Sequence, residues 1–354
     1  MAGNNLVFKA GPGALATVRR DGFAPERVGT LAGASGGAKW LVLSQLDRYL
    51  ASQLLPRLAA PVHLLGSSIG AWRFACYAQQ DPLAAIDRFE QAYVSQSYSS
   101  KPDMQEISAK SREILSLVLP EGSVQQILAH PTLRTHVMTV RARHIAASDN
   151  TALLGAALFA AASLNLFSRR TLGWFFERAL FFDARDLPPC FDATGFPIQK
   201  IRIRESNFVD AIVATGSIPL VLSGVRDIDG ALPGVYRDGG VIDYHLDLPQ
   251  TDADRLTLFP HFFERLAPGW FDKRLAWRRL AGVNIDRTIL ICPSAQFAAS
   301  LPGAKIPDRS DFRRYGALDR IRIWQDVISA CSALVDELHE VLETDQLAAR
   351  LQPL

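Results

Sequence analysis

Short apolar runs alternate with longer stretches of helical periodicity through the first hundred residues. Residues 6–8 (LVF) and 28–33 (VGTLAG) predict buried strands. Between residues 39 and 55, apolar side chains recur at steps of three and four, which predicts a helix. Residues 61–66 (PVHLLG) predict another strand and residues 71–79 another helix. Strands that alternate with helices are typical of a parallel sheet covered by helices.

Three later segments extend this pattern. Residues 136–144 (HVMTVRARH) alternate between apolar and polar side chains, which predicts an exposed edge strand, and residues 288–292 (TILIC) predict a buried one. Residues 321–351 carry apolar side chains on one face and predict a long C-terminal amphipathic helix. Because there is no internal repeat or low-complexity linker, a single domain spanning residues 1–354 is favoured.

The most apolar stretch is residues 152–167 (ALLGAALFAAASLNLF). Its 16 residues fall short of the roughly 20 that a membrane-spanning helix needs, so we expect a buried or interfacial helix. Aromatic and basic side chains follow it up to residue 182. These features predict an apolar and aromatic insertion or lid around residues 145–190. Trp174 and Phe175 are the best candidates for an exposed rim or lid over a pocket at Ser68.

Composition narrows the class of protein. The formal net charge of +2 gives no electrostatic reason to expect a nucleic-acid partner. Four scattered cysteines without a C-x-x-C pair predict buried, reduced thiols and no zinc site, and we expect no metal or cofactor. The N-terminal sequence has no basic segment followed by an apolar one, so a cytoplasmic location is expected. A hydrophobic fraction of 48% leaves peripheral contact with a membrane open, and the oligomeric state is undetermined.

Two copies of the G-x-S-x-G pattern offer a candidate nucleophile. One is Gly66-Ser67-Ser68-Ile69-Gly70, and the other is 33–37 (GASGG). Both join a predicted strand to a predicted helix, which is the context of a nucleophile elbow. Context alone therefore does not separate Ser68 from Ser35.

The need for an oxyanion hole favours Ser68. A tetrahedral intermediate requires backbone N–H donors, and Gly36 and Gly37 with nearby Lys39 form a glycine-rich, cationic loop that can provide them. The reverse assignment would need residues 11–13 (GPG) as the hole, but Pro12 has no N–H. We therefore predict Ser68 as the nucleophile and Gly36, Gly37 and Lys39 as its oxyanion loop.

A serine nucleophile needs a base, and Asp238 in Asp238-Gly239-Gly240 is the leading candidate. The two glycines allow a tight turn that would hold its carboxylate at the mouth of the sheet. His245 and His261 keep a Ser–Asp–His triad open, because histidine is the usual base for serine. Other acids that could compete are Asp243 and Asp247.

These motifs, in this order, resemble the patatin-like phospholipase family. The resemblance covers about residues 28–245. It rests on a glycine-rich loop, a serine elbow, an A-x-G-x-x-P segment and a tyrosine followed by D-G-G. The matching residues are Gly36, Gly37, Lys39, Gly66, Ser68, Gly70, Ala214, Gly216, Pro219, Tyr236, Asp238, Gly239 and Gly240.

The resemblance implies a three-layer α/β/α sandwich with a central, mostly parallel sheet. It also implies a Ser68–Asp238 dyad that cleaves carboxylic esters of lipids through an acyl-enzyme. The substrate would be a lipid or a small ester, with the head group and positional preference open. A non-catalytic lipid-binding protein with the same fold is the alternative from a different class of function.

Overall fold

The structure is a computed structural model that describes residues 4–249, 252 and 254–354. Within these residues, eleven strands form a single sheet. In chain order, the strands are β1 (Leu6–Ala10), β2 (Val28–Gly33), β3 (Val62–Ser67), β4 (Leu133–Ala142), β5 (Phe176–Phe182), β6 (Ile198–Arg202), β7 (Val225–Arg226), β8 (Val235–Asp238), β9 (Leu256–Pro260), β10 (Thr288–Pro293) and β11 (Gln352–Pro353).

Helices pack against this sheet and complete the three-layer α/β/α sandwich that the sequence predicts. The α-helices are α1 (Pro12–Asp21), α2 (Ser44–Tyr49), α3 (Ile69–Tyr77), α4 (Pro82–Ser95), α5 (Met104–Val118), α6 (Ser123–Ala129), α7 (Thr151–Phe167), α8 (Glu205–Gly216), α9 (Gly282–Ile285), α10 (Ala295–Ser300), α11 (Asp311–Arg314), α12 (Ala317–Ala330), α13 (Ser332–Glu343) and α14 (Leu347–Arg350).

The sheet is mostly parallel at its centre. Its main path runs β11-β1-β10-β9-β2-β3-β4-β5-β6, and the five strands from β10 to β4 pair in parallel. Parallel strands end at the same edge, and β2 and β3 are in register with Gly33 opposite Gly66. The loops that follow these two strands therefore lie side by side, at the edge where α/β folds bind ligands.

The prediction of an exposed edge strand at residues 136–144 is wrong. This stretch belongs mostly to β4, which is buried for most of its length and has neighbours on both sides. The alternation of polar side chains suggested that one face is exposed to solvent, but these side chains have partners inside the protein. His136, for example, lies 3.0 Å from a ring nitrogen of His63, and the Thr139 hydroxyl donates to the Ala179 carbonyl.

The single C-terminal helix predicted over residues 321–351 is three helices instead, α12, α13 and α14. The apolar face predicted there is present, since Trp324, Leu334 and Val341 are buried. The break after α13 includes Asp345, whose φ of 53° is left-handed and ends helical geometry. Periodicity showed which face is buried and could not show this reversal of the backbone.

The four cysteines are all buried and free, as predicted, and burial raises the pKa of each thiol. No helix in the described parts of the chain combines the length and the apolar character needed to span a bilayer. The most apolar segment forms α7. Its inner face packs with β4 and β5 in a second apolar cluster, separate from the main core.

Candidate active site

Ser68 occupies the sharp turn between β3 and α3. Its φ of 54° and ψ of −128° are rare for a residue with a side chain, and such strain is typical of functional turns. The glycines on either side are required by close packing. A Cβ at Gly66 would lie 2.5 Å from the backbone of Ala71, and one at Gly70 would lie 2.0 Å from the Gly33 carbonyl oxygen. The chain therefore passes from strand to helix with Ser68 at the tip of the bend.

The Ser68 hydroxyl donates a hydrogen bond to Oδ2 of Asp238 at 2.8 Å. The other carboxylate oxygen, Oδ1, accepts from the backbone N–H of Gly240 at 2.7 Å. Burial raises the pKa of Asp238 to about 6, while the hydrogen bonds from Ser68 and Gly240 act in the opposite direction. The carboxylate is thus fixed in orientation and more basic than an exposed aspartate.

Strand β4 explains how two residues 170 positions apart meet. On one side of β4, Met138 pairs with Ser67 at the end of β3, and the next residue, Thr139, pairs with Asp238 at the end of β8. Strand β8 thus continues beside β4 where β3 stops. Ser68 follows Ser67 directly, so the two candidate residues meet where β3 and β8 end.

The two glycines after Asp238 are also needed for packing. A Cβ at Gly239 would lie 2.1 Å from the Met138 carbonyl oxygen, and one at Gly240 would lie 2.5 Å from Oγ of Ser35. These contacts let the turn after β8 lie directly against β4 and the glycine-rich loop. The sequence D-G-G therefore serves close approach here as well as a tight turn.

The glycine-rich loop after β2 lines the same cavity as Ser68. Gly36, Gly37 and Lys39 all contribute to its wall. The backbone N–H groups of Gly36 and Gly37 donate no hydrogen bond to any described residue, and the same holds for Ile69 at the start of α3. Three residues that line the cavity together with Ser68 therefore carry unused N–H donors. Ile69 was absent from the sequence prediction, although its position directly after the elbow serine could have identified it.

Ser35, the rival serine, lies in the same region with different partners. Its Oγ donates to Oγ of Ser67 at 3.0 Å, and in the described structure it forms no hydrogen bond with a carboxylate. Its backbone N–H donates to the Tyr244 carbonyl. Of the two candidate serines, Ser68 is therefore the one whose hydroxyl contacts a carboxylate.

The segment 214–219 supports the elbow in a way that the sequence did not reveal. Thr215, at the end of α8, accepts a hydrogen bond from the backbone N–H of Ser68 at 2.7 Å and donates one to the Met138 carbonyl. Next to it, the Ser217 carbonyl accepts from the backbone N–H of Asp238 at 3.0 Å. Thr215 and Ser217, two residues apart, therefore bind the backbone of both members of the Ser68–Asp238 pair.

A cavity of about 640 Å³ opens over this pair. One part of its wall is apolar and aromatic, with Ile69, Trp72, Tyr93, Tyr98, Ile107, Ile114, Ile218, Val221 and Leu222. The other part is basic, with Lys39, Lys273, Arg309 and Arg313. Burial lowers the pKa of Lys39, and burial with the nearby charges of Lys39 and Arg309 lowers the pKa of Lys273 to about 7.

The two histidines considered for a triad do not line the cavity over Ser68. His245 and His261 are buried against each other. Nδ1 of His245 accepts from the backbone N–H of Ala267, and Nδ1 of His261 lies 2.7 Å from the Phe263 carbonyl oxygen. Burial lowers the pKa of both rings, which keeps them neutral.

The competing acids also have other partners. Asp243 forms a buried, bidentate ion pair with Arg178, with N–O distances of 2.7 and 2.8 Å. Asp247 accepts hydrogen bonds from the backbone N–H of Ala281 and the side chain of Asn284. Neither carboxylate lines the cavity, which leaves Asp238 as the acid beside Ser68.

The segment predicted as a lid, residues 145–190, contributes no residue to the described wall of the cavity. Trp174 is exposed, Phe175 is half-buried against the second apolar cluster, and neither lines the cavity over Ser68. The wall includes instead residues of α5 and residues 308–310 and 312–313. The packing of α7 against β4 and β5 places this aromatic segment away from the described wall of the cavity.

No protein-family model and no curated protein matches this chain. Among solved structures, it is similar to the crystal structure of VipD from Legionella pneumophila, with a TM-score of 0.31 and 14% sequence identity. The match covers 75% of this chain and 55% of the VipD chain, so this chain spans about half the length of that protein. A similarity this distant carries no argument about function, which has to come from the site itself.

Proposed function

We propose that this protein is a serine acyl hydrolase that cleaves carboxylic esters of lipids, with Ser68 as nucleophile and Asp238 as base. The observation that carries the proposal is the 2.8 Å hydrogen bond from the Ser68 hydroxyl to an Asp238 carboxylate that is buried and oriented by Gly240. An activated nucleophile is recognised by this direct contact with a base. The ordered motifs that resemble patatin-like phospholipases support the same assignment.

The first half of the reaction forms an acyl-enzyme. The Asp238 carboxylate accepts the proton of the Ser68 hydroxyl while Oγ attacks the carbonyl carbon of the ester. The negative charge that develops on the carbonyl oxygen is stabilised by the free N–H groups of Gly36, Gly37 and Ile69, with the Lys39 cation close to their loop. The C–O bond to the alcohol then breaks, and Asp238 returns the proton to the leaving alkoxide.

The second half releases the acid. A water molecule gives its proton to Asp238, and its oxygen attacks the acyl carbon. Breakdown of the new tetrahedral intermediate restores the Ser68 hydroxyl with the proton from Asp238. The apolar part of the cavity wall, which includes Trp72, Ile107 and Ile114, suits an acyl chain, and this supports a lipid ester as substrate.

A Ser–Asp–His triad fits the site less well. Asp238 makes direct contact with Ser68, whereas a triad requires a histidine between them. His245 and His261 both use Nδ1 for backbone contacts away from the cavity. The proposal therefore assigns no catalytic role to either ring.

The test is covalent labelling by a fluorophosphonate probe, followed by hydrolysis of a short-chain aryl ester. The parent protein is expected to be labelled at Ser68, and Ser68→Ala to be unlabelled. Ser35→Ala is the matched control and should keep its labelling, because Ser35 contacts Ser67 and not an acid. Asp238→Asn should lose several orders of magnitude in turnover, while His245→Ala and His261→Ala stay within about tenfold of the parent.

Three outcomes would contradict the proposal. Labelling that survives in Ser68→Ala and vanishes in Ser35→Ala would move the nucleophile to the other motif. A loss in either histidine variant as large as that in Asp238→Asn would restore the triad. A folded parent that is neither labelled nor active on esters, yet retains fatty acids or lipids, would be a binding protein.

A further inference from the structure

Helix α7 has an exposed apolar face. Its 17 residues include no charged side chain. Phe159 and Phe167 are 76% and 87% exposed, and Leu166 between them is 54% exposed. At 100° per residue these three lie on one side of the helix, opposite the face that packs in the second apolar cluster. A helix that is apolar all round is normally covered on all sides, and α7 is covered on one.

A further exposed aromatic residue belongs to a segment that touches the end of α7. The guanidinium of Arg278 donates to the Asn165 carbonyl at 2.7 Å, and Asn165 donates to Oδ1 of Asp272 at 2.8 Å. Arg169 also pairs with Asp272, at 3.1 Å. Residues 270–279 are thereby fixed against the end of α7. Trp277, next to Arg278, is 67% exposed.

Arginines accompany these apolar side chains. Arg170, Arg274 and Arg279 are exposed, and none of their side chains forms a hydrogen bond or ion pair with a described residue. Residues 265–285 contain five basic side chains and one acid, the buried and already paired Asp272. This charge is local, because the whole chain has a formal net charge of only +2.

We propose that this apolar–arginine face docks on the surface of an anionic lipid bilayer. The face consists of Phe159, Leu166, Phe167 and Trp277 together with Arg170, Arg274 and Arg279. Exposed aromatic side chains next to free cations match the two requirements of interfacial binding, which are burial of apolar area among acyl chains and attraction to anionic headgroups. In this arrangement α7 lies in the plane of the surface, with Phe159, Leu166 and Phe167 toward the lipid.

The face is also connected to the cavity over Ser68. Trp270 and Lys273 line that cavity, and the same segment carries Arg274, Trp277 and Arg279 a few residues later. Docking through this segment would bring the basic side of the cavity close to the lipid headgroups. The docking itself is independent of the proposed hydrolysis, because none of its residues contacts Ser68 or Asp238.

The test is co-sedimentation of the purified full chain with vesicles. Binding is expected to vesicles of phosphatidylcholine mixed with phosphatidylglycerol, and to be much weaker with phosphatidylcholine alone or in high salt. Phe167→Ser combined with Trp277→Ser should weaken binding about tenfold or more, since two large apolar side chains lose their burial. Arg274→Gln combined with Arg279→Gln should remove most of the preference for anionic vesicles.

Matched controls lie outside the face. Leu117→Ser removes a half-exposed leucine from α5, and Arg322→Gln removes an exposed arginine from α12, so both should bind vesicles like the parent. Ser68→Ala should also bind like the parent, which separates docking from catalysis. Thermal melting checks that every variant is folded.

Two results would overturn the proposal. One is equal binding of the parent and the Phe167–Trp277 double variant to anionic vesicles. The other is a parent that ignores vesicles and forms a dimer that the double variant abolishes, since the face would then cover a second copy of the chain. Loss of esterase activity without loss of vesicle binding would count against the proposed reaction only.

Discussion

Thr215 links the turn at Ser68 to strand β4 of the sheet. Its Oγ1 accepts a hydrogen bond from the backbone N–H of Ser68 at 2.7 Å and donates one to the carbonyl of Met138 in β4. Because β4 also pairs with Asp238 through Thr139, the same strand supports both members of the Ser68–Asp238 pair. Thr215 is buried and does not line the cavity over Ser68, so in the proposed reaction it would be a positioning residue.

Thr215→Val should lower kcat for a short-chain aryl ester by about tenfold to a hundredfold with little change in KM. Valine has a similar shape but leaves the Ser68 N–H and the Met138 carbonyl without partners, at about 1–3 kcal/mol for each buried group. Thr215→Ser keeps the hydroxyl and should recover most of kcat. Equal kcat values for the valine and serine variants would show that the hydroxyl does not position Ser68.

The pH dependence of kcat/KM should show an acid limb with a midpoint near 6. Burial raises the pKa of Asp238 to about 6, and only the ionised carboxylate can accept the Ser68 proton. Activity is therefore expected to rise as pH increases through 6 and then to level off. A profile from pH 4 to 8 on a substrate that does not titrate in this range measures it. A midpoint near 4 would mean that the carboxylate is not buried as described.

Lys273→Met should move that acid limb to higher pH. The positive charge of Lys273 lowers the pKa of Asp238, so its removal makes the carboxylate harder to ionise. Lys273→Arg keeps a cation and should retain the parent midpoint. If the methionine variant instead moves the midpoint to lower pH, or leaves it unchanged, Lys273 does not act on Asp238 through its charge.

Asp238→Asn should make the protein more resistant to heat at neutral pH. The folded-state pKa of about 6 lies above the ordinary value of 3.8, so the fold disfavours the ionised carboxylate. The parent therefore loses stability, relative to the asparagine variant, as pH rises from about 4 to about 6, and the difference is constant above that. Melting temperatures of both proteins across this range measure the effect. A pH-independent difference would contradict it.

Gly70→Ala should destabilise the fold by at least about 1–3 kcal/mol, because a Cβ there would lie 2.0 Å from the Gly33 carbonyl oxygen. Gly155→Ala is the matched control. It lies inside α7 with no atom within 4 Å of the added Cβ, so alanine should stabilise the helix by about 0.5–1 kcal/mol. Urea unfolding of both variants gives the comparison. Equal stabilities would show that α3 can move away from β2.

Local sequence patterns were enough to predict several strands and helices and the candidate residues of the site. The strands β2, β3 and β10 and the helix after Ser68 follow from short-range periodicity and from glycines at chain reversals. The ordered motifs predicted the three-layer α/β/α sandwich and singled out Ser68 and Asp238, because the residues on either side of a strained turn are restricted to glycine by close packing.

The tertiary structure alone decided what those residues contact. The pairing of β8 with β4, which brings Asp238 beside Ser68, joins strands almost a hundred residues apart, and no local pattern encodes such a register. For the same reason Thr215 and Lys273 joined the site only in three dimensions. Periodicity records which face of an element is apolar, but whether that face meets protein or solvent depends on distant segments. This is why β4 proved to be a buried strand with neighbours on both sides, and the outer face of α7 proved exposed.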